Sequence, residues 1–137
     1  MKGVMLIDFR AEGNVVIGHP NGIAEEHVGK IKKILSEKGL SYKDQQVIKV
    51  DEENFYSVFP ILVKRKDSDR GEPGLLIFIC ETQSEAHKAL FIVDKMGFKD
   101  MEFKKDKIIE LYNKVSKLLK EKEGIIEKML MKEKFMW

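Results

Sequence analysis

The sequence predicts an α+β fold, with a single five-stranded antiparallel sheet flanked by helices in the order β-β-α-β-β-β-α-α and an extra C-terminal helical tail. Three observations predict it. Residues 3–18 read as an alternating hairpin, the apolar period then lengthens to that of a helix over Ile23–Lys38, and from Ser84 onward almost everything is helical in pattern. The composition agrees: 43% hydrophobic and 35% charged residues in 137 is that of one folded domain.

The first strand, Gly3–Phe9, is almost continuously apolar, as a central strand covered on both faces would be. Ala11-Glu12-Gly13-Asn14 supplies turn residues, and Val15-Val16-Ile17 returns as the second strand. His19-Pro20-Asn21-Gly22 breaks the sheet, with Asn21 placed to cap the helix that follows. In that helix Ile23, His27 or Val28, Ile31, Ile34 and Leu35 share one face, His27 being expected at its boundary, and Gly39 stands where a left-handed cap would end it.

Gln46–Val50 alternates as a half-exposed edge strand, and Asp51-Glu52-Glu53-Asn54 turns the chain into a longer strand from Phe55 to Lys64. Pro60 inside that strand demands irregular hydrogen bonding. Lys66–Gly74 is the strongest loop signal, and Leu75–Cys80 is a short apolar run suited to burial. Thr82 with Glu85 three residues later forms a capping box. It starts a helix whose stripe is Ala86, Ala89, Leu90, Val93 and Met96 and whose end is Gly97.

The last helix begins near Lys104 and carries Ile108, Leu111, Tyr112, Val115, Leu118 and Leu119 on one face. Gly124 is a kink or a boundary, costing about 1 kcal/mol in a helix interior. The expected division is therefore a domain over residues 1–123 and an amphipathic helical tail over 124–137. From Lys104 to Trp137 ten lysines face six acidic residues, so the tail end is the basic part of a mildly acidic body. Ile125, Ile126, Met129, Leu130, Phe135, Met136 and Trp137 exceed what closing the core requires, and they are the candidate partner-binding residues. Their targets by chemistry are a protein partner, a second copy in a homodimer or peripheral contact with an anionic membrane surface.

Chemistry is thinly represented. His19, His27 and His87 have neither HExxH spacing nor a CxxC partner, so no metal set is expected. There is no GxxxxGK[ST], no GxGxxG and no GxSxG. No catalytic residue and no cofactor follows. Asp51-Glu52-Glu53 and Asp67-Ser68-Asp69 lack calcium-loop spacing and read as turns. Cys80, the single cysteine, ends an apolar run and reads as a small buried hydrophobe. A net charge of +2 gives no nucleic-acid signal, and glutamates interrupt the basic helix. No run approaches the ~20 apolar residues of a membrane span, and Met1–Phe9 does not form a signal peptide, which makes the cytoplasm the expected location.

The opening hairpin Gly3–Gly18, the helix Ile23–Lys38 and the passage Leu75–Met96 resemble, in their order, the longin domain of the profilin-like superfold, over residues 1 to about 122. That resemblance implies a binding platform that docks small GTPases or other trafficking partners without catalysis. A rival resemblance lies in Ala86–Phe98, ending Lys95-Met96-Gly97-Phe98, which is similar to a segment of acyl-CoA-dependent N-acetyltransferases. It implies a small-molecule enzyme or sensor with a pocket between the sheet and the Lys66–Gly74 loop. Here Leu75–Cys80 leads into Glu81-Thr82-Gln83-Ser84, without the glycines of that family's pyrophosphate loop.

Overall fold

In the computed structural model, which describes residues 1–9, 15–38, 44–65 and 71–121, the chain forms an antiparallel sheet with helices on both faces. The elements are β1 (Gly3–Asp8), β2 (Val15–His19), α1 (Ile23–Lys38), β3 (Gln46–Lys49), β4 (Phe55–Lys64), β5 (Glu72–Cys80), α2 (Gln83–Met96), β6 (Asp100–Glu102) and α3 (Lys105–Glu121). The strands run in the order β2-β1-β5-β4-β3, every neighbour antiparallel. The five expected strands and the three helices before residue 122 are present, the expected tail helix over 124–137 lying outside the described residues, and a sixth strand joins the five: β6 pairs in parallel with the end of β4, setting Met101 opposite Val63.

The period of two in β1 builds two cores from one strand. Val4 and Leu6 face one side, where α2 and α3 supply Ala86, Ala89, Ile92, Ile108, Leu111 and Val115. Met5 and Ile7 face the other, where α1 supplies Ile23, Ile31 and Leu35. All six residues of β1 are buried, as a strand between β2 and β5 with helices over both faces must be. Full burial of one such aliphatic side chain contributes about 1.5–3 kcal/mol, so these two layers are the main support of the fold.

Several local expectations are corrected. The third strand of the second group begins at Glu72 rather than Leu75, shortening the loop before it. Asn21 does not stand next to the first helical residue. Gly22 does, and the Asn21 carboxamide oxygen accepts a hydrogen bond from the Lys105 ammonium instead. His27, expected at a boundary, is 1% exposed. The capping box of α2 forms, with one shift of partner: Thr82 Oγ1 accepts from the Glu85 N–H at 3.1 Å, while the Glu85 carboxylate accepts from the Glu81 N–H at 3.2 Å. Gly97 ends α2 in the left-handed region at φ 71°, where a side chain would be strained.

Pro60 sits in β4 without breaking it, and the reason is positional. The Leu62 N–H bonds to the Lys99 carbonyl at 3.1 Å, so even-numbered residues of β4 direct their backbone polar groups away from β5. Pro60 shares that parity, and its position falls between Gln46↔Val58, where β3 pairing ends, and Leu62↔Asp100, where β6 pairing starts. The missing donor therefore costs the ladder nothing. Gly39 and Gly124, and with Gly124 the division at residue 124, lie outside the described residues.

Candidate functional site

The candidate partner-binding residues Ile125, Ile126, Met129, Leu130, Phe135, Met136 and Trp137 lie outside the described residues, as does Asp67-Ser68-Asp69. The surface that can be built from the described residues starts at the two edges of the sheet, which are treated differently by the sequence.

At one edge β3 is four residues long and carries an exposed Lys49, Pro60 follows in β4, and β6 covers the strand beyond it. Short strands, lysine and proline are the ordinary means of blocking edge-to-edge association. At the other edge β2 pairs, among the described residues, with β1 alone. Its sequence, Val15-Val16-Ile17-Gly18-His19, has no Lys, Arg, Asp, Glu or Pro. Val16, Ile17, Gly18 and His19 are all half-buried, with α1 and α3 flanking the strand on its two faces. His19 stacks edge-on against Tyr112 of α3, ring centroids 4.9 Å apart, and the Tyr112 hydroxyl donates to the Met1 carbonyl at 3.1 Å. A shallow recess at this edge is lined by Val16, Ile17, Asn21, Ala24, Glu25 and Lys105. The opposite edge exposes two large hydrophobic side chains near β6, Leu62 and Phe98, and isolated exposures of that kind are normal on any surface.

The titratable groups of the interior are engaged in structure. His27 Nδ1 lies 2.6 Å from the Tyr56 hydroxyl beneath α1. Burial lowers the His27 pKa below its ordinary 6.5, against a smaller opposing effect of Glu26, and burial pushes the Tyr56 phenol upward. Above this pair, the Lys2 ammonium donates to the Glu53 carbonyl and to Asn54 Oδ1, both at 2.9 Å, and Asn54 donates to Asp51 at 2.9 Å. The bonds from Asn54 and from the Glu53 N–H hold the Asp51 carboxyl down at about 2, so the acidic turn is a fixed turn. Arg65 Nε donates to the buried Asp8 carboxylate at 2.6 Å, with its guanidinium 5.4 Å from the Phe103 ring centroid. Cys80 is fully buried and its thiol is pushed up to about 12 by desolvation. His87 is exposed.

Among the described residues no group of three or more His, Cys, Asp or Glu is placed to hold a metal ion, and no helix is long and apolar enough to cross a membrane. A cleft of about 300 Å³ opens between the first turn of α2 and the C-terminal half of α3, lined by Met1, Thr82, Ser84, Glu85, Lys88, Tyr112, Ser116, Leu119 and Lys120. The pocket expected beside the Lys66–Gly74 loop depends on residues 66–70, which lie outside the described residues. The α2–α3 cleft is a separate feature, and the signal in sequence that points to it is Lys88 inside the apolar stripe of α2. Comparison with protein-family models, with curated proteins and with solved structures finds no match to this chain.

Proposed function

We propose that this chain is a non-enzymatic protein-interaction module, longin-like in kind, that docks a small GTPase or another trafficking-type partner. One observation carries the reading: β2 is an uncharged, proline-free edge strand paired only with β1 among the described residues, while the opposite edge is blocked by Lys49, Pro60 and β6. An extended segment of a partner can add to such an edge through main-chain hydrogen bonds, with side chains alternating into the recesses on either face. The element order from Gly3 to Glu121 supports the same reading, because it keeps the two strands, helix, three strands and two helices on which the longin resemblance rests, with β6 added between the last two helices.

The test measures full-length protein against a panel of purified small GTPases, each loaded with GDP or a GTP analogue, by biolayer interferometry followed by hydrogen exchange. Saturable binding with slowed exchange in Val16–His19 supports the module. Absence of saturable binding across the panel, or protection that leaves β2 untouched, sinks this version of it.

A second reading, a small-molecule sensor or N-acetyltransferase-like enzyme, draws on the cleft between α2 and α3. Its acetyltransferase form is the weaker one, because β5 runs directly into the Glu81–Thr82 cap of α2 with no glycine to cradle a pyrophosphate.

A further inference from the structure

β2 lies in a slot between two helices. Val16 and Gly18 turn to the face covered by α1, where Gly18 has no room for a side chain against Ile23 and Ala24. Ile17 and His19 turn to the face covered by α3. The outer side of an edge strand presents backbone N–H and C=O groups, and β2 has no neighbour beyond it among the described residues.

The two walls of the slot carry opposite charges. Glu25, exposed in the first turn of α1, and Lys105, exposed at the start of α3, both line the recess with Val16, Ile17 and Gly18. Lys105 donates to the Asn21 carboxamide oxygen, which sets its ammonium at the His19 end of the strand. Successive side chains of an added strand point to opposite faces. One residue of such a strand therefore meets Glu25 and its neighbour meets Lys105, while the residues after them pass Ile17 and Val16. A second copy of this chain does not match that pattern. Paired antiparallel through β2 about a twofold axis, it sets α1 beside α1 and α3 beside α3, so Glu25 never meets Lys105.

We propose that the β2 slot takes an extended partner segment in which an adjacent basic and acidic residue are followed by β-branched residues. The basic side chain lies on Glu25 and the acidic one on Lys105. The segment runs antiparallel to β2, which continues the β1–β2 ladder in the more stable pairing and puts the charged pair at its N-terminal end. This inference rests on the edge-docking reading and adds the sequence chemistry that the edge selects.

The experiment titrates ¹⁵N-labelled full-length protein at low ionic strength with the capped peptide Lys-Asp-Val-Thr-Val-Thr and with its neutral form Gln-Asn-Val-Thr-Val-Thr. Saturable shifts at the amides of Val16–His19, with the charged peptide bound about threefold tighter or better, support the proposal. Glu25→Lys and Lys105→Glu change exposed side chains and are each expected to weaken the charged peptide about threefold to tenfold, since an attraction becomes a repulsion. Replacing the peptide's lysine by glutamate then restores binding to Glu25→Lys. Equal affinity for both peptides, unmoved by either variant, overturns the inference and leaves edge docking intact. No shift in β2 with either peptide also overturns it, and the GTPase panel then decides the docking reading on its own. Amide positions in β2 that move with protein concentration alone assign the edge to a second copy and overturn the proposal.

Discussion

His27 and Tyr56 meet in the interior beneath α1, Nδ1 to hydroxyl at 2.6 Å, with their ring planes at 73° and centroids 5.5 Å apart. The neutral tautomer that suits both nitrogens keeps its proton on Nε2, which lies 3.8 Å from the Glu26 carboxylate, and takes the Tyr56 O–H at Nδ1. Tyr56→Phe keeps the ring and removes the hydroxyl that faces that nitrogen. A buried acceptor left without its donor costs about 1–3 kcal/mol. The expected result is an unfolding free energy lowered by that amount, read as a lower urea midpoint with an unchanged slope. Wild-type stability in the variant would show that water or another group replaces the phenol.

The same pair gives stability a dependence on pH. Burial lowers the His27 pKa below 6.5, so the unfolded chain takes up the proton more readily than the native one. The contribution is complete above pH 6.5 and declines as pH falls below it, until the native pKa is passed. Asp51 adds a decline of its own on the acid side, because its native carboxyl is held at about 2 against an ordinary 3.8, so between those values the unfolded chain takes up the proton first and the advantage of the native bonds is lost. Urea unfolding measured from pH 8 to pH 5 should show the first decline, and His27→Gln should flatten it. A flat wild-type profile over that range refutes the assignment.

The sheet was readable because its signals are local. Alternation within β1 separates Val4 and Leu6 from Met5 and Ile7 without knowledge of any partner, and the Thr82–Glu85 box and Gly97 mark both ends of α2. What escaped depends on distant residues. β6 is three residues long with one buried side chain, Met101, so it has no period to detect, and it exists because β4 offers an open edge beyond Pro60. His27 falls on the apolar face of α1, yet its burial needs a hydroxyl 29 positions later on β4. The cleft is less legible still. Lys88 and Lys120 are ordinary lysines in helices until α2 and α3 are set side by side, and only then does one of them become a buried charge.

Cys80 should be chemically silent in the folded protein. It ends β5 at 0% exposure, and desolvation, reinforced by the nearby Glu85 carboxylate, raises its thiol to about 12. At pH 8 only about one thiol in 10⁴ is then ionised, and the thiolate is the reacting species. Iodoacetamide at pH 8 is expected to leave native protein unmodified for hours and to label it to one equivalent in guanidinium chloride. Rapid labelling without denaturant would mean that β5 opens at its end, and the thiol would have to be reconsidered as a reactive group.

Two glycine-to-alanine changes should move stability in opposite directions. Gly74 lies in β5 between Asp8 of β1 and Ile61 of β4. A Cβ there would collide with Val63 Cγ2 and come within 2.5 Å of the Ile7 carbonyl oxygen. The side chain can turn, but the carbonyl belongs to a central strand held on both sides, so the sheet itself must give. Overpacking of this kind costs about 1–3 kcal/mol. Gly29 stands on the exposed side of α1 with nothing within 4 Å of its added Cβ. Alanine in that helix interior restricts the unfolded chain and stabilises by about 0.5–1 kcal/mol. Chemical denaturation of the two variants beside wild type checks both signs at once. Tolerance of Gly74→Ala would mean that β1 and β5 are less tightly joined at this end than the register from Gly3↔Ile79 to Asp8↔Gly74 requires. A loss on Gly29→Ala would place an unrecognised contact on the outer face of α1.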